Sequence, residues 1–576
     1  MTPSALAPFR FAGLWQWNPV SCVTPRGYDE KHMAAHSGWF YDRAGMVRYF
    51  EALREAGLNT WVLANTHPFP FMVDLAEYPE ARVLPDDELR RRQDHYHWLF
   101  ETARATGLQP VVLFHTCYVP DAFAERHGIR PTNAKAFVPP PLAVAYTRHC
   151  VRLLCDTYPE LAGIHGEASE NVAVDCRASF ARDAIVAGIH DSRHRPLLFF
   201  RGWVSDPAAM KANVMDAYEG ECLFTVKYTW EFLVHRKPDP EFLRWVETCG
   251  ANHVVPEFWI SNYQPFGCHD TALAAGIRDE IRRLGCPGFT SHPVDLYGAP
   301  FVQPGETPVL QVERDRDWFA TLSGHWADGS AERAALFGVP APVLDGAVRA
   351  ACQSFQRIGC FLTGNKQNFL QPQWLCAVGG TPERLAGLQT LFHWKNLPRQ
   401  TEGFGRWLTQ LEGIPVRYPT ETGEGFGLEN LLDELYRLAG DWRDLPESSP
   451  RNPALYAVWR RDVLGLRGMA GAWAARGTAM RALFADRNDV AVMALELSLG
   501  WVRQVREHFK DADRCRLLAG RYTLLLGWDD LEKALARELA DCRAGSLADY
   551  YFFGRAETYD WGSRDFAERS GAGPVP

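Results

Sequence analysis

The chain has 576 residues, 47% of them hydrophobic and 23% charged, with a formal net charge of −9. That length exceeds one ordinary core, since domains average about 150 residues, although a β/α barrel can use about 250 in a single unit. Interspersed charge with no basic run excludes nucleic acid as the main partner, and no apolar stretch approaches the roughly 18 residues that cross a bilayer.

Met1 to Arg10 shows no apolar core followed by a small-residue cleavage site. The fourteen cysteines are scattered, with no CxxC pair. A reduced, cytoplasmic compartment without structural zinc is the expectation.

From residue 11 to about 300 one pattern recurs. A short apolar run ends in polar residues, and a loop and an amphipathic helix follow. The predicted strands are Ala12–Trp17, Thr60–Asn65, Pro110–His115, Ala162–Glu167, Pro196–Trp203, Cys222–Tyr228, His253–Trp259 and Gly288–Val294. Between the first two, Met46, Tyr49, Phe50 and Leu53 keep helical spacing, with Gly57 as the stop. Leu273, Ile277, Ile281 and Leu284 repeat the pattern behind Asp270, an N-cap candidate.

Eight such units predict an α/β fold: a (β/α)8 TIM barrel over residues 1–304, its site at the strand C-termini. The long loops Val20–Asp42 and Val119–Pro141 would wall that site. After about residue 305 strand signals fade. Asn452-Pro453 reads as a helix start, with Leu455, Val458, Trp459, Val463 and Leu466 on one face. Val492, Leu495, Leu499 and Val502 form a second stripe, and Thr381-Pro382 starts another helix. Residues 305–576 are therefore expected to form an all-α C-terminal domain, with a disordered tail from Gly571. A homodimer through these helices is left open.

Polar groups collect where the predicted strands end. They are Trp17, then Asn65 and His67, then His115, then His165, Glu167 and Glu170. Arg201 and Trp203, Lys227, Trp230 and Glu231, Glu257 and Trp259, and His292 complete the set. A lone histidine at a strand end is more often structural, and Arg201 with Lys227 could simply neutralise buried acids. All eight ends doing this together points to a site.

Hydrolysis of a glycosidic bond needs two carboxylates flanking it. Strands four and seven lie across a barrel mouth from each other, so Glu170 or Glu167 against Glu231 or Glu257 supplies that pair. Trp17, Trp203, Trp230 and Trp259 would serve as sugar platforms. The two cations suggest either pKa control or an anionic sugar.

The segment Tyr158-Pro-Glu-Leu-Ala-Gly-Ile-His-Gly-Glu-Ala-Ser-Glu-Asn171 resembles the fourth-strand region of the family 67 α-glucuronidases. Phe199-Phe-Arg-Gly-Trp203, Phe224-Thr-Val-Lys-Tyr-Thr-Trp-Glu231 and Val254-Val-Pro-Glu-Phe258 are similar to its following strands. The resemblance implies an inverting glycosidase with no cofactor and a carbohydrate substrate. It implies Glu170 as acid, Glu257 and Glu231 as the base pair, and Arg201 as a uronate contact.

Three other readings stand beside it. One is a retaining glycosidase on the same barrel, with Glu257 as nucleophile. Another is a metal-dependent hydrolase or isomerase using His67, His115, His165 and His292, although these four do not pair in an HxH or HExxH spacing. The last is a sugar-binding barrel that has lost its chemistry. A pure binder gains nothing from burying several carboxylates, which argues against it.

Overall fold

The computed structural model describes residues 6–19, 38–115, 118–129, 137–168, 172–229, 233, 236–259, 267–292, 309–354, 444–484, 487–508 and 528–545. Eight parallel strands form a closed barrel in chain order. They are β1 (Phe11–Trp17), β2 (Thr60–Asn65), β3 (Gln109–His115), β4 (Gly163–Glu167), β5 (Leu197–Arg201), β6 (Cys222–Lys227), β7 (Val254–Trp259) and β8 (Gly288–His292). The predicted strands are all present. The fifth stops two residues early and the sixth one, and the last two residues predicted for the eighth lie outside the described residues.

Alternation decides what each strand shows the lumen. Phe11, Trp15, Trp17, Val62, Ala64, Val111, Leu113, Phe199, Leu223 and Val255 pack together inside the barrel. Their sequence neighbours face outward into one large core shared with the helices.

The helix α1 (Arg43–Glu55) buries Met46, Tyr49, Phe50 and Leu53 against the barrel wall, as their spacing predicts. Each such side chain contributes about 1.5–3 kcal/mol when fully buried. Gly57 follows at φ 77, a left-handed stop that glycine accepts without strain. Helix α2 (Thr271–Leu284) is capped by Asp270, whose side chain accepts from the Leu273 amide at 3.0 Å.

The ring closes where β8 meets β1. Phe11 pairs with Gly288, and a Cβ at Gly288 would stand 1.7 Å from the Phe11 carbonyl oxygen, so no side chain fits there. Across the same seam Trp15 Nε1 donates to Thr290 Oγ1 at 2.6 Å.

Beyond the barrel the structure is helical. The short helices α3 (Arg316–Ser323), α4 (Gly329–Phe337) and α5 (Ala341–Val348) follow. The α3 and α4 helices pack on α2. The long α6 (Pro453–Phe484) starts where Asn452 Oδ1 accepts from the Leu455 amide. It pairs with α7 (Asn488–His508), and α7 in turn with α8 (Trp528–Arg543). Leu455, Val458, Trp459, Val463 and Leu466 are all buried. The helix start expected at Thr381-Pro382 and the tail from Gly571 lie outside the described residues.

A buried network of charges ties α2 to these helices. His269, in the loop before α2, bonds Asp317 through Nδ1 at 3.0 Å and Asp462 through Nε2 at 3.3 Å. Arg333 donates to Asp317 at 3.0 Å and to Asp345 at 2.7 Å, and Arg314 meets Asp462 at 3.2 Å. Burial alone would lower the His269 pKa, but Asp317 and Asp462 together raise it to about 9.

Candidate active site

Three adjacent strands bring their last inward residues to one level. His115 on β3 is in register with Glu167 on β4, and Glu167 with Arg201 on β5. Lys227 on β6 is in register with Glu257 on β7. All lie at the C-terminal mouth, where barrel enzymes hold their chemistry.

Arg201 organises the group. Its Nε and Nη2 donate to the two oxygens of Glu257 at 2.9 and 2.6 Å, and its Nη1 donates to Glu167 at 3.0 Å. His115 Nδ1 lies 2.9 Å from the same Glu167 oxygen. These side chains are taken out of water: 0% exposed for Glu257, 5% for Glu167 and 8% for Arg201. The planar fork of arginine suits such bidentate pairing.

Burial on its own would raise the Glu167 pKa. His115 and Arg201 outweigh it and hold this carboxyl well below the ordinary carboxylate range. The pairing thus favours the ionised form of Glu167. Burial lowers the Arg201 pKa, but Glu257 and Glu167 reverse that and raise it above the ordinary arginine value.

Aromatic rings surround the charges. The guanidinium lies 5.2 Å from the Trp15 ring and 5.9 Å from the Trp203 ring, and Lys227 Nζ sits 3.3 Å from the Trp203 centroid. Trp17 stacks on His115 at 6.1 Å and meets His292 edge-on at 6.0 Å. Below them His165 bonds Thr225 Oγ1 at 2.7 Å and meets Trp15 at 5.3 Å. Burial, with the Arg201 charge nearby, lowers the His165 pKa to about 3, so it is neutral.

Trp17, His115, Glu167, Arg201, Trp203, Lys227, Glu257 and His292 thus come together, with His165 as the layer beneath. Asn65 and His67 do not join them. Asn65 takes the outward parity of β2 and donates to the carbonyls of Leu63 and Leu113. His67 turns into the helical layer, bonds Tyr146 Oη at 3.0 Å, and has its pKa lowered to about 3 by burial. Arg201, a uronate contact by the resemblance, has its Nε, Nη1 and Nη2 on Glu257 and Glu167. One face of Trp203, expected as a sugar platform, is covered by the Lys227 ammonium.

Glu170, Trp230 and Glu231 lie outside the described residues, as does the side chain of Trp259 at the end of β7. Among the described residues no group of three or more histidine, cysteine or acidic side chains is placed to hold a metal ion. Of the four histidines of the metal-dependent reading, His67 stands apart from the other three, bonded to Tyr146 in the helical layer.

Two participants escaped the sequence reading. Trp15 lies beneath Arg201 and has the same inward parity as Trp17, which strand alternation alone would have shown. Arg177, just after β4, donates from Nε to the Val172 carbonyl at 3.0 Å and from Nη1 to the Val204 carbonyl. No sequence pattern singles it out.

No family model matches the chain, and no curated protein matches it in sequence. Solved structures do match. A GH138 enzyme targeting pectin rhamnogalacturonan II superposes with a TM-score of 0.72 at 17% identity, over 94% of this chain and 68% of that one. The likeness is one of fold, a (β/α)8 barrel followed by helices. A family 89 glycoside hydrolase from Clostridium perfringens aligns over 96% of this chain and 65% of its own, at 11% identity and a TM-score of 0.48.

Proposed function

We propose that this protein is a glycoside hydrolase acting on a small oligosaccharide or glycoside. The observation that carries this reading is the pair Glu167 and Glu257, buried at the barrel mouth around one guanidinium and ringed by Trp17, Trp203, His115 and His292. Fold likeness to a glycoside hydrolase supports it as analogy.

Roles follow from the charges. Pairing favours the ionised form of Glu167, so another acid is the better source of the proton for the leaving oxygen. Glu170, three residues further along the sequence, is our assignment. Glu257, fixed through both oxygens, is our assignment for the base that takes a proton from the attacking water, aided by Glu231. That is an inverting reaction. A retaining one, with Glu257 attacking the anomeric carbon, is favoured by its bidentate orientation, which suits a nucleophile that must approach along one line.

A glucuronyl-bearing substrate is the finer reading that the family resemblance suggests. Arg201, which the resemblance implies as the uronate contact, and Lys227 are the two cations at the mouth that could meet such a group. A cytoplasmic enzyme working without a cofactor completes the proposal.

Turnover of a panel of p-nitrophenyl glycosides, neutral and uronic, tests the whole reading. Glu257→Gln should lower kcat by about 10²–10⁴ while the protein stays folded. Unchanged turnover would remove Glu257 from the chemistry. NMR of the first-formed anomer then separates the two mechanisms.

A further inference from the structure

The mouth is braced by a chain of contacts that none of the roles above uses. Phe137, in the loop after β3, forms a parallel bridge with Val172, in the loop after β4. The Ala173 amide donates to the Phe137 carbonyl at 2.8 Å. Arg177 extends the chain by one strand, joining the Val172 and Val204 carbonyls as already described, and it is itself buried.

Val204 stands at the third position of a turn closed by the Ser205 amide on the Gly202 carbonyl at 3.3 Å. Its φ is 47, and it is the only non-glycine with positive φ among the described residues. A β-branched residue in that region is a steric outlier that persists only where its surroundings impose it. Gly202 fixes the start of the turn, because a Cβ there would come within 2.7 Å of the Trp245 ring. The residue between them is Trp203, whose ring carries the Lys227 ammonium.

We propose that Arg177 is a positioning residue of the cleft. By holding the Val172 and Val204 carbonyls together, it keeps the left-handed turn that lays Trp203 against Lys227, and so seats that ammonium beside Glu257. The inference rests on the glycosidase reading only for its kinetic consequence; the geometric claim stands apart from it.

Arg177→Met removes both hydrogen bonds while keeping much of the buried stem. In its crystal structure the Trp203 ring should withdraw from Lys227 Nζ. On any p-nitrophenyl glycoside that the wild type hydrolyses, kcat/KM should fall about tenfold to a hundredfold, as small misplacements in a cleft do. Trp203→Ala alone should give a similar loss, and the double variant no further loss. A Trp203 ring still seated on Lys227, or additive losses, would overturn the assignment.

If Arg177→Met does not fold, Arg177→Lys carries the test, because a single ammonium keeps the buried charge but cannot span both carbonyls as the guanidinium fork does. The expected result is a folded protein with a lower kcat/KM. An unchanged kcat/KM overturns the proposal. A wild type that hydrolyses none of the panel defeats the glycosidase reading, while the crystal structure of Arg177→Met still decides the role of Arg177.

Discussion

Two buried charge networks are built from the same residue types and do different things. At the mouth, Arg201 and His115 meet Glu167 and Glu257. At the junction, Arg333, Arg314 and His269 meet Asp317 and Asp462. The mouth network comes from adjacent strands whose register delivers it, and it ends on the open side of the barrel. The junction network gathers α3, α4, α6 and the loop before α2, and it is covered on every side.

Asp317 shows the second style. It accepts from His269, Arg333 and the Trp318 amide, with the Trp459 indole at 3.4 Å. Its carboxylate is taken up by these neighbours. A buried carboxylate by itself does not mark an active site. What distinguishes the mouth is that its acids lie at strand ends, under aromatic rings and beside long loops.

The sharpest way to break this comparison is to remove one cation. Arg201→Met leaves two carboxylates facing each other out of water, and loss of one partner from a buried pair costs about 3–5 kcal/mol. Urea unfolding should show that loss, and turnover should vanish with it. Arg201→Lys should recover part of the stability but not the bidentate hold on Glu257. Unfolding indistinguishable from wild type in Arg201→Met would mean the network contributes nothing to the fold.

At the junction, Asp317→Asn keeps the shape and removes the charge. The expected loss is about 1.5–3 kcal/mol, the range for a hydrogen bond to a charged group. Below its lowered melting point the variant should keep the wild-type kcat on any glycoside that the wild type hydrolyses. A fall in kcat without a fall in stability would show that the junction serves the chemistry after all.

The smallest effect separates the networks by pH. The folded His269 pKa of about 9 lies above its unfolded value. Its contribution is complete below about pH 6.5 and is lost as pH rises through 9. Glu167 has the opposite sign, because its folded pKa is depressed: its contribution is present above the ordinary carboxylate range and is lost as pH falls. Melting temperature should decline by about 2–4 °C for each kcal/mol lost on the alkaline side. His269→Gln should flatten that limb and leave the acid limb intact. An alkaline limb that survives the substitution would assign it to another group.

Much of this was legible from residue order. The strands announced themselves as short apolar runs with helices between them, and Asp270 and Asn452 cap the helices they precede. The level formed by His115, Glu167 and Arg201 follows from their places at consecutive strand ends. What failed to show was direction. Asn65 and His67 stand in sequence where a site residue would, yet parity and the turn after β2 send them into the wall, while Trp15 looked like ordinary strand filling. The junction was hidden for a different reason. Its members lie up to 195 residues apart, as in the contact of the Gly267 amide with Asp462, and no local pattern links them.

The seam between β1 and β8 has a kinetic meaning. Trp15 and Thr290 are 275 residues apart, so β1 waits with an unpaired edge until nearly the whole barrel has been synthesised. Loop closure over that span is slow, and an exposed edge invites pairing with another chain. Refolding yield from denaturant should therefore fall steeply with protein concentration. A side chain at Gly288 would prolong that exposed stage, so its first symptom should be aggregation during expression, before any loss of activity in the fraction that folds.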